Sequence, residues 1–202
     1  MVNFRIFYSI RGYRLVKRSA EAALFGGSFD PPHLGHRRIV EKLLKEPRID
    51  QVIVVPAWLN PFKEQSHASA LQRLEWCRRV FDLPGVEVSD YEIRQGRPVY
   101  TIETWRALKK SYPLRYLVIG SDNLSSITKW KDFETLNREA IWIVATRGGE
   151  HPDLSMLREA QILPVEVPVS STEIRQGRGL EYVDPRIREE VIRTYHLSKE
   201  TL

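Results

Sequence analysis

One cysteine, Cys77, stands in a chain of 202 residues, so no disulfide can close within it. A lone thiol fits a reducing compartment, and a cytoplasmic location is the expectation. Cys77 lies in "LEWCRRV", where a packed helical thiol is the better reading than a nucleophile. No apolar run approaches the length of about 18 residues that a membrane helix needs. No early apolar block follows the basic start, so neither a membrane nor a secretory signal is expected. Histidine and cysteine form no cluster with metal-ligand spacing, so no dedicated protein metal site is expected. The two common phosphate signatures are missing as well: there is no G-x-x-x-x-G-K-[ST] string and no G-x-G-x-x-G spacing. Repeats, low-complexity tracts and long linkers are also lacking. Excess charge is modest: Lys and Arg number 31 against 26 Asp and Glu, a net of +5. That sign suits an acidic partner such as a small polyphosphate. The basic residues are scattered among acids, as in "RALKK" and "RIREEVIR", which reads as solvated surface rather than a nucleic-acid face.

What is present is an alternation. Candidate strands are Ala22–Phe25, Gln51–Val55, Val86–Ser89, Arg115–Gly120, Ala140–Ala145 and Ile162–Val167. Several, such as "VIVV", "YLVI" and "IWIV", are almost wholly apolar, as strands covered on both faces are. Amphipathic stretches lie between them, at roughly Gly35–Lys45, Ser69–Phe81, Thr101–Ser111 and Pro185–Tyr195. Asp184 before Pro185 is an expected N-cap with proline in the first turn. The pattern implies one α/β domain with a doubly wound parallel sheet.

The most informative stretch is "ALFGGSFDPPHLGHRRIV", residues 23–40. With Phe25 ending a strand, the loop that follows lies where such sheets bind ligands. Gly26 and Gly27 allow a ligand to approach the backbone. The loop runs into a helix near Gly35, whose free N–H groups favour an anion. His33 and His36, three apart, share one side of that helix entrance. Taken singly, a histidine is more often structural and "DPP" is only a turn. The whole string on a strand–loop–helix is far more specific.

G-G-S-F-D-P-x-H-x-G-H resembles the H-x-G-H signature of the nucleotidyltransferase superfamily, which implies a Rossmann-like nucleotidyltransferase fold. The resemblance implies that Gly26, Gly27, Ser28 and Phe29 admit the triphosphate of ATP, and that His33 and His36 donate to its oxygens. "VSSTEIRQG", residues 169–177, has a plausible N-cap at Ser171 or Thr172 with Glu173 in the first turn. It also resembles the superfamily's S-S-T-x-I-R string, which implies that Arg175 grips phosphates, with Ser171 and Thr172 as nearby donors. "GRPVYTIETWRAL" (96–108), "VIGSDNLSSITKW" (118–130), "NPFK" (60–63) with Arg73, and "YVDPRIREEVIRTYHL" are similar to bacterial nicotinate mononucleotide adenylyltransferases. The implied reaction joins ATP and nicotinate mononucleotide into deamido-NAD, with Mg²⁺ carried on the ATP phosphates. Substrate-side residues would be Lys63, Thr101, Gly120, Asp122, Trp130 and Lys131. Asp122 would hold a ribose hydroxyl, Trp130 would stack on the pyridine, and Thr101 with the Lys131 backbone N–H would meet its carboxylate.

The resemblance covers roughly residues 22–197. Phe62 stands where the family has a histidine, and Glu103 where aspartate is common. Residues 1–20 form an N-terminal extension with Arg5, Arg11, Arg14, Lys17 and Arg18 and no acid; residues 21–202 form the nucleotidyltransferase domain. Edge strand, basic tail and upstream start all remain open for that extension. Among rivals, pantetheine-phosphate adenylyltransferases carry threonine at the position of His33, and cytidylyltransferases lack the Trp130 segment. Nicotinamide mononucleotide is a further alternative substrate, and a non-catalytic nucleotide- or RNA-binding protein is the alternative from another class. A homo-oligomer is compatible with the sequence.

Overall fold

Six parallel strands lie in the order β3-β2-β1-β4-β5-β6. They are β1 Ala22–Gly27, β2 Gln51–Pro56, β3 Val86–Val88, β4 Leu114–Gly120, β5 Ile141–Arg147 and β6 Ala160–Val165. The helices are α1 Leu34–Leu43, α2 Ala70–Val80, α3 Tyr91–Gln95, α4 Thr101–Leu108, α5 Phe133–Glu139, α6 Ser171–Arg175 and α7 Pro185–Thr194. Two 3-10 segments, Ser121–Lys129 and Leu180–Tyr182, complete the order. This computed structural model describes residues 20–147, 149 and 151–198. All but the last residue of the expected 1–20 extension lies outside the described residues.

The apolar strands are buried on both faces because each face has its own core. Ala23, Phe25, Val52, Val54, Tyr116, Val118, Ile141 and Ile143 point to one side, under α1, α2 and α7. Their neighbours Leu24, Ile53, Val55, Leu117, Ile119, Trp142 and Val144 point to the other, under α4 and α5. The two-residue period of a strand splits one hydrophobic run between two layers. This is the doubly wound sheet expected. Cys77 is buried in the first layer, and burial pushes its thiol pKa well above the ordinary value.

Several boundaries differ. β1 runs through Gly26 and Gly27, which pair with Val55 and Pro56, so these glycines end the strand rather than begin the loop. The last strand starts two residues earlier than its apolar pattern suggests, because at a sheet edge its outer positions are exposed. The helix from Thr101 stops at Leu108. Short helices α3 and α5 have no counterpart in the sequence pattern: at five and seven residues they are too short to show a periodic stripe. Asp184 does cap α7, accepting from the Arg186 N–H at 2.9 Å.

Candidate active site

Strand order reverses between β1 and β4, and a cleft of about 980 Å³ opens beyond their carboxyl ends. Open parallel sheets bind ligands at such a point. Every site residue expected from the sequence lines this cleft. Gly26 to Phe29 with His33 and His36 form one wall, Ser171, Thr172 and Arg175 stand beside them, and Gly120, Asp122, Trp130, Lys131 and Thr101 form the other wall. Lys63 sits with the first group, its ammonium 3.3 Å from Ser28 Oγ.

The two histidines build the helix start on which they stand. His33 is the N-cap of α1, and its Nδ1 accepts from the Gly35 N–H at 3.1 Å. In return His36 Nδ1 accepts from the His33 N–H at 3.2 Å. This is a reciprocal capping box with imidazoles in the places usually held by serine and glutamate. Gly35 is required because a Cβ there would lie 2.9 Å from the folded-over His33 ring. The caps have a chemical consequence. Each Nδ1 is an acceptor, so in the neutral ring the proton sits on Nε2 and makes that atom a donor. Burial, with repulsion from His36 and Arg147, holds the His33 pKa well below the ordinary value. Burial and Arg147 take His36 to about 3. Both rings are neutral near pH 7, their centres 3.8 Å apart and their planes tilted by 34°, with fixed tautomers.

Around them the loop is clamped from distant parts of the chain. The Asp30 carboxylate accepts from the Tyr195 hydroxyl at 2.7 Å and from the His67 and Ala68 N–H groups at 2.9 and 3.0 Å. Burial would raise its pKa, but those three donors together with the Arg73 charge outweigh it and hold the carboxyl below the ordinary value. Arg73 is fully buried, and its guanidinium donates to the carbonyls of Ser28, Ala57, Trp58 and Ala68. One side chain thus ties the loop after β1 to the loop after β2. On the other flank, Arg175 donates to the Asp30 carbonyl at 2.5 Å and to Thr172 Oγ1 at 3.1 Å. The Ser171 hydroxyl donates to the Pro31 carbonyl. The N-cap of α6 is Ser170, one residue before Ser171 and two before Thr172, the expected caps, in a capping box with Glu173. This shift leaves Ser171 free of capping and turned to the loop.

On the opposite wall, Trp130 is half-buried and packs edge-on to Trp142, 6.4 Å between ring centres, while still lining the cleft. A Cβ at Gly120 would stand 2.4 Å from Asp122 Oδ1, so a larger residue there would displace that carboxylate. Thr101 opens α4, and Glu103 two residues on pairs with Arg97 at 2.7 Å and Lys131 at 3.4 Å. The buried acid of this wall is Glu92, whose Oε1 accepts from the Thr104 hydroxyl at 2.6 Å. Burial, aided by the nearby Glu103 charge, pushes its carboxyl up to about 7 against that hydrogen bond.

Four residues of the site do not stand out as such in the sequence: Asp30, Glu92, Arg147 and, in its buried role, Arg73. Arg73 has a readable signal, since it falls on the same helical stripe as buried Cys77 and Val80, an odd place for a charge. Arg147, at the end of β5, lines the cleft and acts electrostatically on both histidines.

Residues 24–177 match the family described as cytidylyltransferase-like. A relative from Sulfurovum sp., named "Probable nicotinate-nucleotide adenylyltransferase", is 46% identical over 181 residues, covering 89% of this chain and 96% of its own. A protein of the same name from Sulfurimonas denitrificans is 42% identical, covering 86% and 93% of the two chains. A solved structure of Plasmodium falciparum nicotinic acid mononucleotide adenylyltransferase, complexed with NaAD, superposes with a TM-score of 0.74 at 20% identity, over 89% of this chain and 97% of that one.

Proposed function

We infer the reaction from the family to which the chain belongs, the nicotinate-nucleotide adenylyltransferases: the protein transfers the adenylyl group of ATP to nicotinate mononucleotide. The products are deamido-NAD and pyrophosphate. The observation that carries this reading is the locked pair of imidazoles, whose backbone caps leave two Nε2–H donors at the cleft and no base poised for covalent chemistry.

In this reaction an oxygen of the mononucleotide 5′-phosphate attacks the α-phosphorus of ATP in line. The bond to the bridging oxygen breaks, and pyrophosphate departs with the electron pair. Neither an enzyme-bound intermediate nor a proton transfer is needed, so positioning and charge stabilisation do most of the work. Neutral imidazoles suit that role, because they donate to phosphate oxygens without having to lose a proton first. Arg147 and Arg175 supply positive charge on the same side, and Gly26, exposed and without a Cβ, leaves room for the triphosphate. Across the cleft Trp130 offers a ring face for the pyridine, and Asp122 an acceptor for a ribose hydroxyl. Mg²⁺ would come with ATP, where it would neutralise phosphate charge with few ligands from the protein. The carboxylate of the loop fits that arrangement, because Asp30 is already engaged by three protein donors.

The test is direct. Purified protein with ATP, Mg²⁺ and nicotinate mononucleotide should release pyrophosphate and form the dinucleotide, compared with CTP, GTP and a panel of acceptors. Folded protein that is inactive with every mononucleotide overturns the assignment.

A further inference from the structure

Beside Thr101, at the mouth of the substrate wall, the Lys131 ammonium lies 4.6 Å from the centre of the Tyr100 ring and 3.4 Å from Glu103 Oε1. Both Tyr100 and Lys131 line the cleft, whereas Glu103 does not. We propose that the Lys131 side chain, not only its backbone, is the specificity-determining cation that selects an anionic pyridine substituent over a neutral amide. This inference rests on the adenylyltransferase reading above and goes further by naming the group that chooses the base.

Three observations carry it. The first is place: Lys131 directly follows Trp130, so a ring lying on that indole has its edge within reach of the lysine's stem. The second is charge. Arg97, Glu103 and Lys131 form a chain of two cations and one acid, and Arg97 makes the shorter contact with the acid, 2.7 Å against 3.4 Å. Glu103 is thereby held ionised by Arg97 first and Lys131 second. Its one negative charge is shared between two cations, which leaves a surplus positive charge in the trio, and Lys131 is the member that lines the cleft. The third is orientation. A cation over an aromatic face is held by the ring quadrupole, and Tyr100 is in turn the residue before α4, with no side-chain cap of its own. Glu103 and Thr104 already donate their N–H groups to the Tyr100 carbonyl, so the Thr101 N–H at the start of α4 and the ammonium are the donors presented to this corner. A carboxylate accepts from all of them; an amide NH₂ facing an ammonium puts donor against donor. The other acid of this wall, Glu92, already accepts from Thr104.

Three versions of the protein separate the possibilities: wild type, Lys131→Gln and Lys131→Arg, each assayed for kcat/KM with nicotinate and nicotinamide mononucleotides at low and high salt. The acid-to-amide ratio should fall about tenfold in Lys131→Gln, which keeps the backbone N–H, and should be largely retained in Lys131→Arg. In wild type the ratio should also shrink with added salt, as an exposed charge contact does, while that of Lys131→Gln should hardly respond. The salt series on wild type needs no variant to fold. A folded Lys131→Gln with the wild-type ratio, or a wild-type ratio indifferent to salt, overturns the lysine's role. Wild type inactive with both mononucleotides instead overturns the reaction itself.

Discussion

The Tyr195 hydroxyl donates to Asp30 Oδ1 at 2.7 Å, so the residue after the last helix reaches the loop that carries both histidines. Helix α7 is itself bolted to α2 by Glu190, which takes two hydrogen bonds from Arg79 and one from the Trp76 indole. Helix α7 and Tyr195 are thus part of the scaffold of the histidine-bearing wall rather than an appendage. Removing the hydroxyl with Tyr195→Phe leaves a buried carboxylate short of one donor, a loss worth about 1–3 kcal/mol. Urea unfolding should show that loss, and the KM for ATP should rise while the mononucleotide KM changes less. Unchanged stability would mean that water replaces the hydroxyl at no cost.

The capping role of the histidines alters what their substitution means. The sequence resemblance gives His36 only a ligand-facing role; the structure adds a second one, because its Nδ1 closes the α1 capping box. His36→Ala should therefore lose about 0.5–2 kcal/mol of stability together with a fall in kcat of about 10²–10³, the scale for one transition-state donor. His36→Asn separates the two effects. Its side-chain oxygen can stand in for Nδ1, but nothing reaches the place of Nε2. Stability should recover in a thermal melt while kcat stays low; recovery of both would make the histidine a cap only.

Arg73 makes a stronger claim on the fold than on the chemistry. Its guanidinium reaches four carbonyls from inside the protein, a fork that a lysine ammonium cannot reproduce. Arg73→Lys should destabilise by about 3 kcal/mol or more, as breaking a buried charge network does. It should also weaken ATP binding through the loosened Ser28. A variant that melts like wild type would show that the carbonyls find other donors.

What was legible and what was not follows the range of the interactions. The parallel sheet was readable because apolar runs and helical periods are local, and the histidines were readable because their spacing is. The reciprocal cap was not, since histidine seldom caps a helix and the sequence offers no serine or aspartate to mark it. Asp30 looked like part of a turn; its role depends on Tyr195, His67 and Ala68, which no local pattern connects to it. Glu103 pairs with Arg97 and with Lys131, which is 28 positions away, so no local pattern shows that partnership or that Glu103 lies outside the cleft lining.

Thr101 stands at the start of α4 with its side chain free of capping duty. If it donates to the substrate carboxylate, Thr101→Val should narrow the preference for nicotinate over nicotinamide mononucleotide, because the methyl that replaces the hydroxyl favours neither. Trp130→Ala should weaken both substrates together, since stacking does not distinguish acid from amide. Parallel kcat/KM values for the two mononucleotides check both statements. A valine variant with undiminished preference would move the discrimination entirely to Lys131.

Glu92 makes stability depend on pH in a direction opposite to that of most carboxylates. Its native pKa is pushed up to about 7 from an ordinary 4.5, by burial first and by Glu103, against the Thr104 hydroxyl and the Arg73 charge. Between those two values the folded protein holds a proton that the unfolded chain has released. The contribution of this group is therefore fully present below about pH 4.5 and is lost as pH rises through 7. At about 1.4 kcal/mol per unit, the loss approaches about 3 kcal/mol at pH 8. Glu92→Gln keeps an acceptor for Thr104 and removes the charge, so it should gain on wild type steadily as pH is raised from 5 to 8. Urea midpoints of the two proteins at several pH values measure this. The substrate should report it too: an ionised Glu92 opposes a doubly anionic mononucleotide, so the wild-type KM for nicotinate mononucleotide should climb through pH 7, and that of Glu92→Gln should climb less. Parallel pH curves for the two proteins, in stability and in KM alike, would show that Glu92 stays ionised throughout and that its burial is relieved by solvent from the cleft.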